Sequence, residues 1–151
     1  MQIPRLSEVP GLWEVDGSLV DIYILDTTLA SWERFLEFAK SYPIAYSFDG
    51  DVRPLPTAEE IFGNREGKHL LSIFLGPVPV MANCHFFGEG EIELDLDPKE
   101  IGGLNDHFEV LRFVATLADL LGEPALVTPE NCPDIPILSY EPLRGLWLIR
   151  G

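Results

Sequence analysis

The chain has 151 residues, the size of one ordinary domain, and at that length folding hides roughly 68–70% of the surface an unfolded chain exposes; 46% hydrophobic and 11% aromatic residues set it apart from disordered chains. Asp and Glu number 25 against 10 Lys and Arg, a formal net charge of −15, which argues against direct contact with nucleic acid or anionic lipid and favours a basic protein partner. Two cysteines, Cys84 and Cys132, are too few for a disulfide framework or a zinc site, and no apolar run has signal-peptide or membrane-spanning length, so the expectation is a cytoplasmic protein with reduced thiols.

No repeat or linker divides the chain, and residues 1–151 read as a single domain. Residues 18–25 (SLVDIYIL) are rich in strand formers, and Thr27 or Thr28 can cap the helix that follows. In that helix Leu29, Trp32, Leu36 and Ala39, with Phe35 beside them, form an apolar stripe opposite Glu33, Arg34, Glu37 and Lys40, and Pro43 ends it. A strand over 44–48 leads into an Asp49-Gly50 turn and a short helical piece over 57–62. HLLSIFL, 69–75, is almost continuously apolar, as expected of a central strand buried on both faces.

The next two strands carry the sharpest pattern. Val80, Ala82, Cys84 and Phe86 alternate with Met81, Asn83, His85 and Phe87, and GEIELDLDP alternates acid with aliphatic over 90–98. A three-residue loop over 88–90, with Gly90 left-handed, pairs His85 with Glu93, Cys84 with Leu94 and Asn83 with Asp95 and keeps both apolar sets on one side. Gly102-Gly103 then precedes the longest helix, 104–121, with the stripe Leu104, Phe108, Leu111, Ala115 and Ala118, widened by Val114, Leu117 and Leu121. Gly122 closes it, and 125–127, 137–140 and 146–149 are short strands separated by the loop TPENCPDIP. The sum is α+β: a mostly antiparallel sheet with two main helices packed on it.

Chemistry-bearing motifs are few. Alternate carboxylates on a strand stand about 7 Å apart and do not share an ion without converging, and no HExxH, EF-hand loop or Cys/His pair exists, so neither a metal nor a cofactor is expected. Cys84 adjoins His85, but successive strand residues point to opposite faces, which separates the thiol from the imidazole. Ser72, Ser139 and His107 have no catalytic motif around them, His107 reads as a surface residue in the first turns of its helix, and no catalytic residue is assigned.

What remains is a surface. Glu91, Glu93, Asp95 and Asp97 form a ladder of negative charge without a cation opposite, at a cost in repulsion that a docking basic surface would relieve. Phe87 and His85 lie beside it, and Phe87, with Trp32 or Trp147, would supply the aromatic anchors an interface needs. The competing reading is a small enzyme or ligand-binding protein with its pocket around Asn83, His85, Glu93 and Glu130.

Taken in order, HLLSIFLG, ANCHFF, EIELDLDPKEI, VLRFVATLADLLGEP and LVTPEN resemble the pattern of small acidic bacterial immunity proteins of polymorphic toxin systems, over roughly residues 18–142. The resemblance implies a non-enzymatic protein that binds and neutralises one toxin domain. It assigns no individual residues, because such proteins share no catalytic motif.

Overall fold

Alternating apolar positions give most strands one face to bury, and the computed structural model, which describes residues 2–151, collects nine strands into one sheet. In chain order they are β1 (Val20–Leu25), β2 (Ile44–Phe48), β3 (Asp51–Arg53), β4 (His69–Leu75), β5 (Val80–Cys84), β6 (Glu91–Leu96), β7 (Ala125–Pro129), β8 (Leu138–Glu141) and β9 (Leu146–Ile149). Across the sheet they run β3-β2-β4-β5-β6-β1-β7-β8-β9, every neighbouring pair antiparallel. The architecture is α+β with helices packed on the sheet, as the sequence predicts.

Three helices cover the apolar face: α1 (Leu29–Ala39), α2 (Ala58–Gly63) and α3 (Leu104–Leu121). Thr28 and Thr57 cap the first two, each hydroxyl accepting a backbone N–H three residues on, from Ser31 and Glu60. Trp32, Phe35, Leu36 and Ala39 of α1 are buried, and Phe38 stacks on Phe113 of α3 with ring centroids 5.5 Å apart. Beneath them lie Ile22 and Ile24 of β1, Leu71, Ile73 and Leu75 of β4, Ala82 and Cys84 of β5, and Ile92, Leu94 and Leu96 of β6, all at most 1% exposed. Gly122, at φ 68°, ends α3 in the left-handed conformation that only glycine adopts without strain.

Several sequence expectations are corrected. β4 is interior, third from one edge, and more fully buried on its helix-side face than on the other, where Ser72 is buried but Leu70 and Phe74 are only half-buried. The buried stripe of α3 is rotated toward Val110, Phe113 and Leu117, leaving Leu104 51% exposed and Phe108 at the margin. Phe38 and Tyr42 cover Phe113, and the N-terminal segment folds onto the start of the helix at His107. His107, expected at the surface, is fully buried: Trp13 Nε1 donates to its Nδ1 (3.0 Å) and its Nε2 donates to the Pro4 carbonyl (2.6 Å). An indole N–H only donates, so Nδ1 carries no proton and the ring is the neutral Nε2–H tautomer. The imidazole ties residues 4 and 13 to α3.

Candidate functional site: an acidic stripe on the uncovered sheet face

The residues between the buried positions form the opposite face of the sheet, which no helix covers. Cross-strand register brings Ser72, Asn83, Asp95, Asp21 and Thr128 into one row across β4, β5, β6, β1 and β7. Beside that row Glu93 lies across from Tyr23, and Glu91 across from Leu25. The row is joined by hydrogen bonds: Ser72 Oγ donates to Asn83 Oδ1 (2.8 Å), Asn83 Nδ2 to Asp95 Oδ1 (3.3 Å), and His85 Nε2 to Asp95 Oδ2 (3.0 Å).

Asp21 and Asp95 sit directly opposite each other, an arrangement of like charges that destabilises a sheet. Asp21 is 2% exposed, and its Oδ2 accepts the Asn131 N–H (2.7 Å) from the loop after β7. The Tyr23 hydroxyl lies 3.3 Å from the same oxygen and 3.2 Å from Glu93 Oε1. A phenol has one hydrogen to give, so two carboxylates divide a single donor at distances long for an O–H···O bond. Burial, reinforced by the Asp95 and Glu130 charges, pushes the Asp21 carboxyl above the usual range despite the Asn131 and Tyr23 hydrogen bonds. Burial likewise raises Glu93, with Asp21, Glu91 and Asp95 adding to it. Burial, with the Asp21 and Glu93 carboxylates beside it, raises the Tyr23 hydroxyl, which stays protonated. None of the ion pairs among the described residues joins a Lys or Arg to Asp21, Glu91, Glu93 or Asp95. The stripe is rich in acceptors and short of donors.

One end of the stripe is shaped by a departure from the expected hairpin. Asn83↔Asp95 and Cys84↔Leu94 pair as predicted, but the tip closes on Gly88↔Glu91, so three residues, 85–87, face two, 92–93. This is a β-bulge. The left-handed residue is Phe86, at φ 58°, and not Gly90; for a phenylalanine that conformation costs roughly 1–2 kcal/mol. Two contacts sustain it. The Phe86 ring is buried against Trp32 and Phe62, at centroid distances of 5.3 and 6.1 Å. The carbonyls of Phe86 and Phe87 accept from the two terminal nitrogens of Arg65 (2.8 and 3.1 Å). The tip is pinned further by Thr27 Oγ1 and Trp32 Nε1, which both donate to the Glu89 carbonyl (2.6 and 3.0 Å). The bulge turns Phe87 outward, 61% exposed and stacked on His85 with ring centroids 5.5 Å apart.

Of the residues the sequence singled out, the structure brings Glu91, Glu93, Asp95, His85 and Phe87 to this face. The imidazole of His85 bonds Asp95 rather than the predicted Glu93, because the bulge breaks the pairing above Cys84. Asp97 leaves the ladder: it caps the one-turn helix Pro98–Glu100 by accepting the Lys99 N–H (3.0 Å) and lies 3.8 Å from Lys99 Nζ. Trp32 and Trp147 are not surface anchors, being 0% and 6% exposed in the core on the other side of the sheet. Cys84 is fully buried there too, where burial pushes its thiol up, away from His85. The residues named for the competing pocket lie in two places. Glu130 lies beyond Asp21, accepting the Leu19 N–H (2.8 Å), while His85 borders a groove of about 370 Å³ between Lys68 and the Asp49-Gly50 turn. Both nitrogens of His69 in that groove are satisfied, by the Tyr46 hydroxyl (2.5 Å) and the Asn64 carbonyl (2.6 Å). Sequence reading missed Asp21 and Tyr23, whose only signal was an acid and a phenol at alternate positions of SLVDIYIL.

No group of three or more His, Cys, Asp or Glu side chains among the described residues is placed to hold a metal ion, and no helix there is long and apolar enough to cross a membrane. No protein-family model, curated protein or solved structure matches the chain.

Proposed function

We propose that the protein is a non-enzymatic binder of a basic protein, docked on the uncovered face through Glu91, Glu93 and Asp95 with Phe87 and His85 at the rim, the buried Asp21 adding its charge to theirs. One observation carries the reading: two carboxylates divide the single Tyr23 hydrogen, a third lies directly opposite one of them, and among the described residues no Lys or Arg pairs with any of the three. An incoming Lys or Arg supplies both the missing charge and the missing donors. Phe87, held outward by a strained bulge, adds apolar contact next to the charge. The sequence pattern makes the specific form of this proposal an immunity protein that neutralises a basic toxin domain.

Capture from a lysate of the source cells, with the wild-type protein and with Glu91→Gln/Glu93→Gln/Phe87→Ala as baits, tests the reading. The expected result is a basic protein held by the first bait, lost by the second, and bound more slowly as salt rises, because steering acts over a Debye length of about 8 Å at physiological ionic strength. Equal retention of the same partner by both baits would place the interface elsewhere.

A further inference from the structure

On the β4 side of His85 the acidic stripe gives way to a hollow of different character. Two adjoining grooves, of about 370 and 160 Å³, share Lys68, His69 and His85 in their walls. The larger runs toward Ser47, Leu70 and the Asp49-Gly50 turn. The smaller runs toward Arg65 and Phe87, and among the described residues no acid lines it.

The walls are held in place by bonds that leave their polar ends unspent. The Asp49 N–H donates to the Lys68 carbonyl (2.8 Å), and the Lys68 N–H donates to Asp49 Oδ1 (2.7 Å). Gly67 lets this clasp close, because a Cβ there would strike the Phe48 ring. His85 is moored on Asp95, and His69 on Tyr46 and Asn64. Arg65 is moored on the carbonyls of Phe86 and Phe87, and its guanidinium keeps N–H groups beyond the two it spends there. Lys68 Nζ and His85 Nδ1 bond nothing among the described residues.

Charge and shape name the ligand. Arg5, Lys40, Arg53, Lys99, Arg112 and Arg150 each lie 3.1–3.9 Å from a carboxylate. Arg65 and Lys68 do not, although the chain carries 25 acids to 10 bases, and both line the smaller groove. The nearest acid in the walls, Asp49, stands at the far end of the larger groove with one oxygen bonded to the Lys68 N–H. Phe87 and His85, stacked with their planes 20° apart, supply a flat aromatic wall beside the two cations. Lys68 and Arg65 are exposed, and an exposed cation holds a carboxylate only weakly, so the ring contact has to contribute as well. We infer that the groove binds a small aromatic carboxylate, its ring against Phe87 and His85 and its carboxylate on Lys68 and Arg65. A space of this size suits a small molecule, and the site stands apart from the docking proposed for the acidic stripe.

The probes are benzoate, benzylamine and acetate, titrated at millimolar concentration into the full chain and followed by NMR. Benzoate is expected to shift the amides of Gly67, Lys68 and Phe87 and the ring signals of His85. Benzylamine, with the charge reversed, and acetate, without the ring, should each bind about tenfold more weakly. Lys68→Gln, which keeps the backbone clasp, should weaken benzoate about threefold, the share of an exposed ion pair. Phe87→Ala should narrow the preference for benzoate over acetate. Glu91→Gln/Glu93→Gln should not weaken benzoate binding, which separates this groove from the acidic stripe. The inference is overturned if benzoate shifts no signals in the groove, if benzylamine binds as well as benzoate, or if Lys68→Gln and Phe87→Ala both leave benzoate binding unchanged.

Discussion

The same strands build two faces held by different physics. On the helix side Ile22, Ile24, Leu94 and Cys84 are closed off by α1 and α3 and contribute through area removed from water, about 25 cal/mol per Å². On the other side their immediate neighbours, Asp21, Tyr23, Glu93 and Asp95, contribute a few hydrogen bonds and a set of unneutralised charges. One face is optimised for folding. The other carries carboxylates that no Lys or Arg among the described residues pairs with, and the proposed docking rests on that difference.

The largest break in this contrast comes from the covered face. Trp32→Ala removes a fully buried indole that packs on Phe35, Phe62 and Phe86 and bonds the Glu89 carbonyl; it should cost about 3–5 kcal/mol in denaturant unfolding and release the hairpin tip. His107→Ala comes next. It leaves Trp13 Nε1 without its acceptor and the Pro4 carbonyl without its donor, and should cost about 1–3 kcal/mol, with faster proteolysis of the N-terminal segment as a second readout.

Arg65→Ala touches the boundary between the faces. Its guanidinium is exposed but satisfies two carbonyls that the bulge frees, so the expected loss is about 1 kcal/mol. Faster amide exchange should be confined to residues 85–91, with the core of β5 and β6 unaffected.

The open face shows up most clearly in its pH dependence. Asp21 and Glu93 hold their protons more firmly folded than unfolded. Their contribution therefore favours folding below the ordinary carboxylate range and is lost as pH rises through the raised folded values. Glu8, Asp16 and Glu60, lowered by local hydrogen bonds from Arg5, Ser18 and Thr57, act in the opposite sense. Subtracting the stability profile of Asp21→Asn/Glu93→Gln from that of the wild type cancels those three groups. The remainder should decline with rising pH; a flat remainder would show that the two carboxyls titrate normally.

Which parts of this contrast were legible in the sequence follows from how local each signal is. Caps at Thr28 and Thr57, the α3 stop at Gly122 and the alternation of β5 and β6 are encoded within a few residues, and they locate the elements and the Asn83↔Asp95 register. The pairing of β1 with β6 joins residues about 70 positions apart, and nothing in SLVDIYIL announces that Asp21 will face Asp95. The bulge was hidden because a phenylalanine takes the left-handed conformation beside glycines that could have taken it; only the packing of its ring and the reach of Arg65 decide otherwise. His107 looked exposed because its partners, Pro4 and Trp13, come from a segment without regular structure. The acidic ladder was legible as composition, but its separation into three strand carboxylates and one helix cap at Asp97 required the point where β6 ends.

The most direct test of the central claim needs no partner: urea unfolding of Asp21→Asn/Glu93→Gln against the wild type at neutral pH and low salt. Both substitutions keep an oxygen to accept the existing hydrogen bonds, remove the charge and put an NH2 donor in place of the second oxygen. If the uncovered face is maintained for binding, the variant is as stable as the wild type or more stable by up to ~1 kcal/mol, and the gain fades as salt or acid is added. A variant clearly less stable than the wild type would mean that these carboxylates hold the fold together, and the account of the face as a docking surface would be wrong.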